Sequence, residues 1–391
     1  MTAATFPDGF LWGTATAAHQ VEGGNWNNDW WAWEHAEGSP CEEPSGDACD
    51  QYWRYPQDLE LLADLGFQAY RFSLEWSRIE PEYGEFSTAA LDHYRRVIAA
   101  CRDHGLLPVV TFHHFTTPRW AAAEGGWVNP ATADRFATFC ERAVGHFGEE
   151  IGMACTINEP NIVSLMGWLM GVFPPGVTQD LDGYVKSNEI LRAAHRKAYD
   201  VLKAGPGDFP VGLTLSMSDW SAEPGSEDLI DTYRRHHEDE YLEAARGDDF
   251  VGVQAYSRNR IGPEGMLGPE AGVEVLPMGY EYWPQAAGAA IRHAVEVART
   301  PVYVTENGIG TDDDEQRVRF LRDSLAGVAR TIEDGLDVRG FFHWSLLDNF
   351  EWAFGYRMKF GIVGVDRATQ ARTVKPSATW LGQVIGRNAI D

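Results

Sequence analysis

The feature that most constrains the fold is an alternation. Eight apolar, β-branched runs, at residues 11–18, 69–79, 107–114, 153–159, 211–219, 250–257, 302–306 and 340–347, are separated by longer segments of helical period. The helical patterns lie at 56–65, 88–104, 131–147, 184–204, 229–246, 284–298 and 314–335; Asp58, Leu59, Leu62 and Leu65 show the 3.6-residue stripe. Strands separated by helices imply parallel βαβ units. Eight such units predict an α/β fold, a closed (β/α)8 TIM barrel, with an open doubly wound sheet as the alternative that pattern alone leaves standing. No linker or low-complexity stretch divides the chain, so residues 1–391 read as a single domain.

Several of the runs end in polar or ionisable residues. The second contains Arg71 and Glu75, the third ends in His113 and His114, and the fourth in Asn158 and Glu159. The seventh ends in Glu306 and Asn307, and the eighth leads to Asp348, Asn349 and Glu351. In a barrel these C-terminal ends converge on one face, where active sites form. Any one of these residues is explicable as a satisfied structural polar group; their convergence is not. Glu159 and Glu306, ending strands four and seven, are expected to face each other across the barrel mouth. Two such carboxyl groups suit glycosidic cleavage, which needs one acid to protonate the leaving oxygen and a second carboxylate to attack the anomeric carbon or activate water. Retention needs them about 5–5.5 Å apart and inversion about 6.5–9.5 Å.

Composition narrows the partners. A formal charge of −26 repels nucleic acid and anionic lipid. No apolar run approaches the roughly 18 residues of a membrane span, and residues 1–8 show no basic segment followed by an apolar one, so the expectation is a cytoplasmic chain. The five cysteines are odd in number and form no CxxC, so free thiols are expected, Cys41 and Cys49 included. The pair His113–His114 is a poor metal site, because adjacent strand side chains point to opposite faces; His236 and His237 read as a solvated helix face. No metal or cofactor is expected. The unusual count is 15 Trp. Trp26, Trp30, Trp31 and Trp33 crowd a polar segment, where they suit either loop packing or the apolar faces of sugar rings.

The stretches FPDGFLWGTATAAHQVEG (6–23), RFSLEWSRIEP (71–81), TINEP (156–160), FPPG (173–176), VTENG (304–308) and HWSLLDNFEW (343–352) occur in an order and spacing that are very specific together. From Phe6 to about Lys375 the chain resembles glycoside hydrolase family 1, the retaining β-glucosidases and β-galactosidases. The resemblance implies that Glu159 is the general acid/base and Glu306 the nucleophile. It implies that Arg71 and Tyr256 hold Glu306 ionised, and that Asn158 contacts the sugar 2-hydroxyl. It places Gln20, His114, Glu351 and Trp352 on the sugar hydroxyls and Trp344 under the ring. The expected substrate is a small-molecule β-glycoside. Family members that use 6-phosphosugars carry a small hydroxyl residue in place of Glu351, and a Lys and Tyr after it; here Phe360 follows Lys359, which implies an unphosphorylated sugar.

Some positions depart from the family pattern. GVQAY (252–256) stands where GVNYY is usual, Phe115 and Ala154 replace tryptophans, and the chain is short between strand six and Glu306. These departures bear on the sugar preferred and on the leaving-group side. Alternative readings are a transglycosidase or specialised natural-product glycosidase using the same pair, and, from another class, a catalytically silent sugar-binding barrel.

Overall fold

The computed structural model describes residues 4–391; residues 1–3, the start of the segment read above for a leader, lie outside it. Its centre is a ring of eight parallel strands: β1 (Leu11–Ala15), β2 (Ala69–Ser73), β3 (Leu107–His114), β4 (Met153–Asn158), β5 (Val211–Ala222), β6 (Phe250–Gly262), β7 (Val302–Asn307) and β8 (Val338–Trp344). Each strand pairs with the next, and β8 returns to β1 through Gly340 to Trp344, so the sheet is closed and the open alternative falls.

The outer helices are α1 (Gln51–Asp64), α2 (Thr88–Asp103), α3 (Ala131–Phe147), α4 (Leu181–Ala204), α5 (Asp228–Arg234 and Glu240–Ala244, joined by a π turn at Arg235–Asp239), α6 (Ala286–Ala298), α7 (Asp314–Glu333) and α8 (Pro376–Arg387). The first seven match the helical patterns of the sequence. The eighth was not among them; Pro376 opens it, where a missing N–H costs nothing. In α2 the Ser87 hydroxyl accepts the Ala90 N–H at 3.2 Å, and Leu91, Tyr94, Val97, Ile98 and Cys101 turn one apolar stripe inward. Two cores result. Ala69, Val109, Met153, Cys155, Phe250 and Phe342 fill the barrel interior. Val110, Phe112, Ile157, Leu213 and Val253 face the helices.

Strand ends depart from expectation for identifiable reasons. The run at 69–79 leaves the sheet at Ser73, because Glu75 caps a short helix (Trp76–Ile79) by accepting from the Ser77 N–H at 3.3 Å, and from its hydroxyl at 2.7 Å. The run at 11–18 stops at Ala15 before the helical turn Ala18–Val21. Conversely, β5 and β6 outrun their predicted ends and stay paired as far as Ala222 and Ile261. The hairpin strand Gly265–Leu267 adds antiparallel to β6, making a ribbon that projects beyond the barrel mouth.

At the opposite end the termini meet. Ala4–Thr5 pairs antiparallel with Ala389–Ile390. Asn388 donates to the Phe6 carbonyl at 2.8 Å and accepts from the Trp12 indole at 2.9 Å. All five cysteines are free thiols. Among the described residues no helix is long and apolar enough to cross a membrane.

Asp58, a polar member of the α1 stripe, is buried because Arg372 grips it with two bonds of 2.8 and 2.9 Å. Both side chains are 1% exposed. Breaking a buried pair strands a charge, so Asp58→Ala is expected to lower the unfolding free energy by about 3–5 kcal/mol in urea denaturation. The half-exposed Asp337–Arg339 pair serves as control: Asp337→Ala is expected to cost at most about 1 kcal/mol.

Candidate active site

At the C-terminal mouth the strand ends enclose a pocket of about 360 Å³. His114, Asn158, Glu159, Tyr256, Glu306, Trp344, Glu351 and Trp352 all line it. Gln20 stands directly behind, donating to the Phe350 carbonyl at 2.9 Å and to Glu351 at 3.3 Å. The ten site residues read from the sequence thus come together.

The pocket is organised around a fully buried cation. Arg71 Nη1 donates to Glu306 Oε1 at 2.7 Å, and Nη2 donates to Asn158 Oδ1. The Tyr256 hydroxyl donates to the second oxygen of Glu306 at 2.6 Å. Asn158 Oδ1 also accepts from Gln254 Nε2 at 2.8 Å and Thr214 Oγ1 at 3.2 Å, while its amide nitrogen lies 3.2 Å from His114 Nε2. Gln254, noted in the sequence only as a departure, is therefore part of the wiring that orients Asn158. Arg71 Nε and Gln254 Oε1 within this network are buried with no partner among the described residues, as are Gln20 Oε1 and His114 Nδ1. Buried polar atoms are ordinarily satisfied, so the last two are suited to a ligand rich in hydroxyls.

Local backbone explains how the glutamates are presented. Glu159 has φ 42°, a left-handed conformation uncommon outside glycine, and its N–H is held by the Thr214 carbonyl at 2.9 Å. Pro160 then starts the helix Pro160–Ser164. After Glu306, a Cβ on Gly308 would stand 2.1 Å from the Trp344 carbonyl, so only glycine lets β7 pass β8 here.

The two carboxyl groups sit in different fields. Burial pushes Glu159 well above the usual carboxylate range, and the charge of Glu306 adds to this, against a hydrogen bond from Ser216. Burial raises Glu306 too, but Arg71 and the Tyr256 hydroxyl oppose it. Glu351 is pushed up to about 8, first by burial and then by Glu306. His114 is held far below the ordinary histidine range by burial, then by Arg71, and is neutral.

Other expectations sort differently. Glu75 is outside the pocket, accepting from Asn25 at 2.6 Å and Thr116 at 2.9 Å. Asp348 pairs with Lys375 at 2.8 Å, and Asn307 donates to the Ala255 carbonyl at 2.7 Å; both are structural. His113 and His114 do point apart, His113 packing edge-on to Trp127 on the helix side. Among the described residues, no group of three or more His, Cys, Asp or Glu side chains is placed to hold a metal ion. His236 is exposed, but His237 is not on a solvated face: the π turn of α5 rotates it inward to Asn161 and the edge of Trp220. Trp30 is buried against Trp352, centroids 4.5 Å apart, and Trp33 donates to the Val172 carbonyl; these are packing residues.

The outer half of the pocket went unread. Ile162 and Met166 line one side, Met278 and Tyr280 another, and Ser216, Ser218 and Asn259 the β5–β6 ribbon. The polar-strand-end criterion, extended to strands five and six, would have found Ser216 and Ser218. Arg258, also on this wall, is neutralised by Glu281 and Glu270 and lies 3.8 Å over Trp283.

A barrel with two inward glutamates and unsatisfied polar atoms at its mouth defines a glycoside hydrolase. The comparisons agree: the model of glycosyl hydrolase family 1 matches residues 2–260 and 271–390, and the chain belongs to that family. It is 32% identical to beta-glucosidase A of Thermotoga maritima, covering all of both chains over 452 aligned positions. That length exceeds the 391 residues here, so the relative carries segments this chain lacks. It is 33% identical to a 1,4-beta-D-glucan glucohydrolase of Thermotoga neapolitana, covering 98% of this chain and 99% of the relative. Among solved structures, the beta-glycosidase BGL167 superposes with a TM-score of 0.92 at 48% identity, covering 99% of this chain and 98% of that one. The beta-glycosidase from Pyrococcus horikoshii gives 0.93 at 32%, covering 100% and 97%.

Removing the Gln254 amide leaves Asn158 with one fewer restraint in a buried network. Gln254→Leu is expected to lower kcat/KM on an aryl β-glycoside about 5- to 100-fold, about 1–3 kcal/mol, without unfolding the chain. Steady-state kinetics with circular dichroism check this.

Proposed function

We propose that this chain is a retaining, exo-acting β-glycosidase of neutral, unphosphorylated β-glycosides. β-Glucosides are its main substrates, with side activity on galactosides and fucosides. The observation that carries the reading is the different treatment of two carboxyl groups in one pocket. Glu306 is clamped by a guanidinium and a phenol, which favours an anion able to attack the anomeric carbon. Glu159 is buried beside that charge, which favours the proton the leaving oxygen needs. Attack forms a covalent glycosyl-enzyme and neutralises Glu306. In the same step the glycosidic bond breaks and Glu159 gives its proton to the leaving oxygen; the resulting carboxylate, no longer facing the Glu306 charge, then takes a proton from water, whose oxygen attacks the anomeric carbon and releases Glu306. These side chains handle every proton and charge, with no cofactor. Glu159 and Glu306 together in one pocket favour catalysis over a silent sugar-binding barrel.

The reading extends to the sugar subsite: by the family resemblance Gln20, His114, Asn158, Glu351 and Trp352 bind hydroxyls, and Trp344 lies under the ring; their convergence at one pocket supports this. The inner end is closed by Trp352, backed by Trp30, which suits a terminal sugar unit. A phosphate has no counter-ion there: Lys359 turns away to the Tyr356 carbonyl at 2.7 Å, and Phe360 offers no hydroxyl. Glu351 adds an acidic side chain that opposes a phosphate, an effect that burial and the Glu306 charge weaken by raising its pKa, so exclusion of phosphate rests on missing donors as well as on repulsion. The relative acting on 1,4-β-glucan suggests short β-1,4-glucans among the natural substrates.

Glu306→Gly is expected to abolish turnover, and azide or formate to restore it with inverted product, read by NMR. Full activity in that variant sinks the nucleophile assignment. Glu159→Ala is expected to spare formation of the glycosyl-enzyme only for activated leaving groups; equal losses on activated and unactivated substrates refute the acid role.

The pH profile of kcat/KM is expected to be bell-shaped. Activity falls as pH drops through the Glu306 pKa, because the nucleophile protonates, and as pH rises through that of Glu159, because the acid ionises. Tyr256→Phe removes a donor to the Glu306 anion, so the acidic limb is expected to move to higher pH. A limb that stays in place refutes that role for Tyr256.

A further inference from the structure

Two of the fifteen tryptophans are largely exposed, Trp26 at 61% and Trp53 at 74%. Trp26 lines a surface pocket of about 260 Å³, which shares no lining residue with the catalytic pocket. Trp26 forms part of its wall, with Asn27, Tyr52, Ser77, Arg78 and Ser87. Trp53 adjoins through Tyr52, its ring 5.1 Å from the Tyr52 ring at 78°. Of the four tryptophans crowded into the polar segment near residue 30, Trp26 alone has no packing role to explain it. An isolated exposed indole is unremarkable. One in the wall of a concave polar pocket, with a second beside the neighbouring wall residue Tyr52, is not.

The loop carrying Trp26 is held rigidly on both sides. Gly24 N–H donates to the Gly46 carbonyl at 2.8 Å, and Asn25 donates to Glu75 at 2.6 Å. Asn27 donates to the Ser77 and Pro81 carbonyls at 3.3 and 2.9 Å. The indole is thus presented to solvent by a fixed backbone, which lowers the ordering cost of a ligand. The floor is also fixed. Arg78 lies 4.5 Å over the Tyr52 ring and spends Nε on Glu22 and Nη2 on the Gly23 carbonyl. Asn27, Ser77 and Ser87 add amide and hydroxyl groups to the lining. Aromatic faces beside fixed amide, hydroxyl and guanidinium groups match pyranose rings, which are apolar on their C–H faces and polar at the rim. With Arg78 already paired to Glu22, the site offers no free cation for an acidic ligand.

We propose that this pocket is a second, non-catalytic binding site for neutral β-linked oligosaccharides, with Trp26 as its main platform and Trp53 extending it. The choice of a β-glucan ligand rests on the catalytic reading above, whereas the site itself does not.

The test uses the full chain carrying Glu306→Gln, titrated with cellotetraose by calorimetry and tryptophan fluorescence. Two molecules bound per chain are expected. Adding Trp26→Ala is expected to leave one, with affinity at the lost site reduced about tenfold or more, and Trp26→Phe to retain much of it. Trp53→Ala is expected to weaken the same site. A single molecule per chain whose binding Trp26→Ala leaves unchanged, or two after Trp26→Ala, overturns the proposal. Trp26→Ala alone is expected to keep kcat/KM on 4-nitrophenyl β-glucoside within about twofold, as for a surface change. A native chain that fails to hydrolyse that glucoside refutes the catalytic reading, while Trp26-dependent binding still reports on the pocket.

Discussion

Arg71 is a guanidinium with no exposure to solvent, set in a barrel whose interior holds the apolar cluster of Ala69, Val109, Met153, Phe250 and Phe342. Burying a charge so deeply is tolerable only if partners replace its water shell. Here the partners come from three other strands: Glu306 from β7, Asn158 from β4 and Thr214 from β5. Each is in turn fixed by neighbours, Glu306 by Tyr256 and Asn158 by Gln254 and His114. One cation therefore ties six of the eight strand ends into a single polar layer above the apolar one. The proposed chemistry depends on that layer, because it supplies the difference in field between Glu306 and Glu159.

Three carboxyl groups, Glu159, Glu306 and Glu351, share this one guanidinium. A low-dielectric pocket cannot hold all three ionised against one counter-charge. Glu306, with two donors aimed at it, takes the charge; Glu159 and Glu351 hold their protons more tightly. A neutral hydroxyl-rich ligand leaves this charge balance undisturbed, which is a physical reason for the preference proposed above for plain sugars over charged ones.

Much of this was legible in the chain itself. The strand–helix alternation predicted the closed barrel, and polar residues at the ends of runs four and seven predicted where the glutamates meet. The family motifs supplied Gln20, Trp344 and Trp352, which carry no signal of their own. What pattern could not show was where strands stop. Glu75 looked like another inward carboxylate, yet a side-chain cap turns the chain into a helix and takes it out of the mouth. The extension of β5 and β6 past the barrel depends on pairing between two segments, which neither reveals alone. The inward turn of His237 depends on a single π turn, which hydrophobic periodicity does not register. Gln254 is a departure in sequence and a hydrogen-bond donor in space, a distinction only coordinates can draw.

The clasp between Ala4–Thr5 and Ala389–Ile390 has a consequence for engineering. These two segments lie side by side on the face where the strands begin, with the height of the barrel between them and the pocket. A tag, anchor or partner module attached at either end would hang from the underside and leave the opening clear. Joining the ends with a short linker and cutting a solvent-exposed loop elsewhere would give a circular permutant in which every strand keeps its neighbours.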